Sequence, residues 1–296
     1  MGHSRNWSVM LSCLGIAATC SAVGCGLGDD DPSAEKTISA LMDDGDPTAI
    51  APASMVPPPP VTLPPRFCPS GDCSRDPLAF WKVDDCNPSN TQLSDSAVST
   101  IPHPAFRAVS VDCVPSIDNV GLRIDGDDDI MYSPDQPDYV FDGGLTIAAW
   151  INPDRITGTQ VIARKRLDAS SSFVLAIDGR RLVFAARLTN GRLAVVSAPA
   201  STLAKRFTHV AATYDGQQAV LYIDGTPAAS TRAAGTIARG AGPIFVGNDA
   251  NGREMTGIVD DVWLNTLAAP ADVIRSTGDP HDGTCLLDDG QQVCAL

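Results

Sequence analysis

The stretch Phe141-Asp142-Gly143-Gly144-Leu145-Thr146-Ile147-Ala148-Ala149-Trp150-Ile151-Asn152-Pro153 decides how this chain is read. From Leu145 to Ile151 it alternates, placing Leu145, Ile147, Ala149 and Ile151 on one face, the pattern of a half-buried antiparallel strand. Further strands of about the modal length are expected over 172–177, 182–187, 193–197, 207–214 and 219–223. Between and after them stand Asp178-Gly179, Asn190-Gly191, Asp215-Gly216 and Asp224-Gly225. Such dipeptides tolerate positive φ and mark tight hairpins. Helical signal is confined to a turn or two over Ala271–Ser276, after Pro270. Many short strands, regular turns and almost no helix predict an all-β fold of two packed antiparallel sheets. The 230 residues of 67–296 are enough for one such domain to bury its own core.

Three later segments extend the pattern in order: Phe207-Thr208-His209-Val210-Ala211-Ala212-Thr213-Tyr214-Asp215-Gly216, Leu221-Tyr222-Ile223-Asp224-Gly225 and Gly257-Ile258-Val259-Asp260-Asp261-Val262-Trp263. With the opening stretch they resemble the laminin G-like (concanavalin A-like lectin/glucanase) jelly roll. Leu78–Asp85 and Val120-Gly121-Leu122-Arg123-Ile124-Asp125-Gly126 are similar to that family's first strand and its Phe-Asp-Gly segment. Ile124 replaces the Phe, Pro134–Tyr139 lengthens a loop, and both ends carry cysteines. The resemblance implies a jelly-roll sandwich that binds glycan or protein through its loops. It also implies a structural Ca²⁺ near the junction of first and last strands, held by Asp84, Asp128 and Asp260. Hard carboxylate oxygens in turns suit that ion; alternatively Asp125, Asp127, Asp128 and Asp129 form a solvated turn that caps backbone amides.

Outside this domain the chain changes character. Residues 1–25 contain Arg5 and an apolar run, Val9–Ala18, too short to span a bilayer, so they are expected to form a signal peptide. Ala22-Val23-Gly24-Cys25 resembles the lipobox of bacterial lipoproteins, which makes Cys25 the expected site of lipid attachment; ordinary cleavage and attachment at Cys20 are the alternatives. By the same resemblance Gly26 favours the outer membrane or cell surface. Residues 26–66 carry Asp29-Asp30-Asp31, Asp43-Asp44-Gly45-Asp46 and Pro57-Pro58-Pro59-Pro60, a composition expected to form a disordered tether. Its Ile38-Ser39-Ala40-Leu41-Met42 patch has room for one helical turn. Cys68, Cys73, Cys86, Cys113, Cys285 and Cys294 remain in the domain, an even number that implies disulfides in an exported protein. Spacing suggests Cys285 with Cys294 and Cys86 with Cys113, leaving Cys68 with Cys73. Gaps without paired histidines do not fit zinc.

Charge and residue types narrow the function. Lys+Arg 21 against Asp+Glu 35 gives −14, and only Glu35 and Glu254 are Glu. That balance excludes a phosphate-backbone binder, and 44% hydrophobic residues exclude a disordered acidic chain. Glycoside hydrolysis needs two carboxylates about 5–9.5 Å apart. Glu254 is the one Glu in the domain, and Asp260 and Asp261, adjacent on a regular strand, are expected on opposite faces. There is no Gly-x-Ser-x-Gly elbow, and His103, His209 and His281 have no motif around them. A non-enzymatic binding module at the cell envelope is therefore expected, with no nucleic-acid partner; a structural envelope component and a divergent hydrolase are the alternatives. Tyr132 and Tyr139, flanking the lengthened loop, are the candidate ligand contacts, and Trp150 and Trp263 are expected in the core. Arg164-Lys165-Arg166 is expected to be an exposed strand end guarding an edge, or else a contact for an acidic glycan.

Overall fold

Leu145, Ile147, Ala149 and Ile151 enter the main hydrophobic core together, while Ala148 packs on the opposite face. They lie in a two-sheet sandwich in the computed structural model. It describes residues 40–43, 66–126, 128–167, 170–249, 252–278, 285–288 and 291–294, the last two segments and residues 167 and 170 as backbone. One sheet runs β14 (Thr226–Arg232), β13 (Gln218–Ile223), β12 (Thr208–Tyr214), β7 (Leu145–Pro153), β16 (Gly257–Asn265), β5 (Val120–Ile124) and β4 (Asp112–Pro115); β1 (Ala79–Trp81) also pairs with β16. The second runs β11 (Leu193–Pro199), β10 (Arg181–Arg187), β9 (Ser170–Asp178), β8 (Thr159–Leu167), β15 (Ile244–Val246), β6 (Met131–Ser133), β3 (Ala105–Arg107) and β2 (Gln92–Leu93). Neighbours pair antiparallel, as the hairpin signals predict. A separate hairpin joins β17 (Cys285–Asp288) to β18 (Gln291–Cys294).

The expected strands fall within a residue or two of those observed, because their turns carry the right backbone. Asp224 and Gly225 adopt φ of 47° and 69° between the paired Ile223 and Thr226, the mirror-image turn whose twist suits a two-residue hairpin. Between β9 and β10 the turn is shifted by one: Gly179 and Arg180 hold φ of 50° and 74° inside the closing pair Asp178 and Arg181. Gly144, just before β7, holds φ of 137°, and a Cβ there would lie 2.6 Å from the Tyr214 carbonyl. No other residue type fits that junction.

Cys68 bonds to Cys73 and Cys86 to Cys113. The register sets Cys285 opposite Cys294, but their side chains lie outside the described residues, as do Cys20, Cys25 and the leader. Part of each sheet's outer side is covered by the chain itself. Helix α1 (Ala271–Thr277) lays Ile274 against Ala148, Ala211, Tyr222 and Trp263 of the first sheet. Over the second lie Leu41 and Met42, in a helical turn at 40–42 within the segment assigned from sequence to the tether.

Candidate functional site

Cross-strand partners share a face, so the pairing registers trace one row over the outer side of the second sheet. It runs Gln92, Phe106, Tyr132, Phe245, Arg164, Val174, Ala185, Val195. The row is aromatic at one end and aliphatic at the other. Phe106 and Tyr132 are half-buried and stack with ring centroids 5.7 Å apart. They present a flat apolar surface edged by a phenol, the kind of group that supplies contact area and a hydrogen bond at once. Tyr132 thus lies on a strand face rather than a loop.

Tyr139, its expected companion, is a core residue. Its ring is fully buried, stacks on His103 at 5.4 Å and shares a 2.7 Å hydrogen bond with the Ser133 hydroxyl, so it offers no surface to a ligand. The loop it ends is pinned from within. Lys165, also fully buried, donates to Asp135 at 2.5 Å, and Asp138 lies 3.0 Å from His103 Nε2. The basic run is therefore not an exposed strand end. Arg164 and Lys165 lie on β8 between β9 and β15, and buried cations in mid-sheet persist because each has a carboxylate, Asp249 at 2.6 Å for Arg164. Trp150 and Trp263 are buried as expected, and His209 packs edge-on to Trp150.

The structure separates the three expected calcium ligands. Asp128 sits in the turn beyond the end of β5, where the neighbouring Asp129 caps the amides of Asp125 and Gly126. Asp260 lies toward the other end, because β16 pairs Gly257 with Ile124 and Val259 with Leu122. Asp84 and Asp260 instead fall in one cluster with Asp118 and Asp261 around Lys82, whose ammonium is 3.7 Å from Asp84 and 3.3 Å from Asp118. Among the described residues no three acids, histidines or cysteines converge as a formed metal site does.

Asp260 and Asp261 do not point apart. Val259 and Val262 both face the core three residues apart, which a regular strand forbids, and a bulge with Asp261 at φ 47° absorbs the extra residue. The Asp261 amide donates to Asp260 Oδ1 at 2.8 Å. Burial, then the Asp261 charge, pushes the Asp260 carboxyl up to about 9. Burial also lifts Asp261 to about 7, against the pull of Lys82. One buried oxygen each of Asp84, Asp260 and Asp261 lacks a hydrogen-bond partner, and Asp84, Asp118 and Asp261 share the single Lys82 ammonium. The acids belong to the first sheet and the open aromatic pair to the second, on opposite sides of a core about 10 Å thick.

A two-sheet jelly roll with an aromatic sheet face has the architecture of a binding domain built on the lectin sandwich. The family model described as the concanavalin A-like lectin/glucanases superfamily, in its laminin G group, matches residues 125–275, and the chain belongs to that family. No curated protein matches it. Among solved structures, the binding domain of botulinum neurotoxin serotype G is similar at 14% identity and TM-score 0.57, over 69% of this chain and 50% of that one. The binding domain of Paraclostridial Mosquitocidal Protein 1 gives 13% and 0.56, over 70% and 53%. The serotype D ligand binding domain in complex with N-acetylneuraminic acid gives 11% and 0.56, over 70% and 51%. The chain spans about half the length of these proteins, and at such identities the likeness is one of fold.

Proposed function

We propose that the protein is a non-catalytic, envelope-tethered module that binds glycan through the open aromatic end of the second sheet. The observation that carries this reading is the stacked, half-exposed pair Phe106 and Tyr132 on a rigid strand platform. The complex of a structural neighbour with N-acetylneuraminic acid supports an acidic sugar as one class to test. Screening the full-length protein on a glycan array should give discrete hits. Tyr132→Ala and Phe106→Ala should each weaken the best hit about tenfold with the melting temperature held. Hits indifferent to both substitutions would move recognition to the loops, and an array without hits would point to a protein ligand.

The location proposed is the cell envelope, through lipid on Cys25. The two disulfides support export to an oxidising compartment, and no helix among the described residues is long and apolar enough to cross a membrane. Cys25→Ser should release the protein from the membrane fraction, and a variant that stays there would remove the anchor from this proposal. Structural calcium belongs to it with a changed seat. Support for that seat comes from the cluster beside Lys82, where one buried oxygen each of Asp84, Asp260 and Asp261 lacks a hydrogen-bond partner, whereas Asp128 lies in a separate turn. Millimolar CaCl₂ should raise the melting temperature by several degrees and EGTA should reverse it. No change with either leaves Lys82 as the cluster's cation.

A further inference from the structure

Strands β9 and β10 are apolar on both faces. Phe173, Leu175, Leu182 and Phe184 fill the sandwich interior, while Val174, Ala176, Val183 and Ala185 face outward. An antiparallel sheet that meets water on its outer side alternates apolar with polar residues, and an apolar patch in that position marks a covered surface or an interaction site. Here the cover belongs to the same chain. Leu41, 2% exposed, and Met42, 0% exposed, rest on the patch together with Val161.

Two arginines hold the polar groups of that segment. Arg253 Nη1 donates to the carbonyls of Ala40 and Leu41 at 3.1 and 3.0 Å, and Arg187, at the end of β10, pairs with Asp43 at 3.2 Å. Arg253 is itself braced by Asp249 at 2.5 Å, which also binds the buried Arg164. The donor is thus anchored to the sheet. The apolar floor, the Arg253 guanidinium that donates to the carbonyls and the carboxylate-binding Arg187 all meet the segment's own groups.

We propose that this face is a peptide-binding site for a short segment with two adjacent apolar side chains followed by a carboxylate, and that residues 40–43 are its resident intramolecular occupant. The two apolar side chains cover Val174, Ala176, Val183 and Ala185; the carboxylate completes Arg187; a turn of helix leaves two carbonyls free for Arg253. Because the occupant is tethered, an outside peptide of the same kind competes against its local concentration.

The test uses the full-length protein. Leu41→Asp with Met42→Asp vacates the face, and a fluorescein-labelled synthetic peptide of residues 38–45 reports binding by anisotropy. The peptide should bind the vacated protein about tenfold or more tightly than it binds wild type. Adding Arg187→Ala and Arg253→Ala to the vacated protein should weaken it about tenfold again. Equally weak binding to wild type and vacated protein overturns the proposal. A second measurement needs no variant: peroxide should oxidise Met42 about tenfold more slowly in the native protein than in urea, at a rate independent of protein concentration. Equal rates in the two states overturn the docking. Protection lost on dilution gives the site to a second copy and overturns the intramolecular assignment.

Discussion

A histidine buried between two carboxylates has to settle on a charge. His103 Nδ1 faces Asp95 at 3.2 Å and Nε2 faces Asp138 at 3.0 Å; a neutral ring has one N–H, so only the imidazolium serves both. Burial works against the charge, but the hydrogen bonds to Asp138 and Asp95 outweigh it and raise the pKa to about 9. Tyr139 stacks on the ring, and the Lys165 ammonium lies over that tyrosine, 5.2 Å from its centroid. The folded state therefore holds this proton more tightly than the unfolded chain does, whose histidine titrates near 6.5. The stabilisation is complete below pH 6.5, falls as pH rises and is gone above about 9. It amounts to about 3 kcal/mol. Urea unfolding at pH 6, 7.5 and 9 should show a steeper decline in wild type than in His103→Gln, which keeps only the part due to the raised Asp260 and Asp261 carboxyls; equal slopes in the two proteins would sink it. His209 acts on the opposite side of neutrality: burial pushes it down to about 4, so its contribution is lost as pH falls from 6.5 toward 4. The two carboxylates of His103 are not legible in the sequence, since Asp95 and Asp138 lie eight and thirty-five residues away and follow no spacing rule.

At the scale of strands, what was legible depended on whether the period was unbroken. Residues 172–177, 182–187 and 207–214 keep an apolar partner at every second position and end on residues that accept positive φ, so they were found almost to the residue. β16 breaks the period. Its Val259, Val262 and Leu264 cannot all face inward on a regular strand, and that mismatch was the available signal for the bulge that brings Asp260 and Asp261 together. β2, β3 and β6 have two or three residues each, too few to show any period, and they carry three of the eight residues in the outer row on the second sheet. The Phe106 and Tyr132 pairing was thus hidden although Tyr132 itself was singled out. Arg164 and Lys165 misled for a related reason: adjacent cations on one strand suggest a solvated end until the acids that bury them, Asp249 and Asp135, are placed beside them by folding. Continuous apolar runs in β9 and β10 carried a signal as well, since strands apolar on both faces need a cover on each.

For the molecule as a whole that cover decides how the sandwich meets solvent. One outer face is closed by α1, a covalent continuation of β16, and the other by residues 40–43, joined to the domain through the intervening proline-rich stretch. Burying Leu41 and Met42 contributes about 4 kcal/mol at about 2 kcal/mol per side chain. Fixing four residues costs about 4 kcal/mol at the low end of backbone ordering. These terms nearly cancel and the Arg253 and Arg187 contacts add about 2 kcal/mol, so the segment stays docked and removes an apolar patch from water while adding little to the stability of the fold. A chain beginning at Phe67 should therefore melt within a few degrees of the full-length protein, yet bind a hydrophobic dye more strongly and self-associate at lower concentration. Thermal melting, dye fluorescence and sedimentation velocity on the two chains measure this directly. A large loss of melting temperature would show instead that 40–43 is integral to the core. Unchanged dye binding and sedimentation would show that the patch closes without its segment, because the side chains of Val174, Ala176, Val183 and Ala185 are small enough for Leu193 and Val195 to shield.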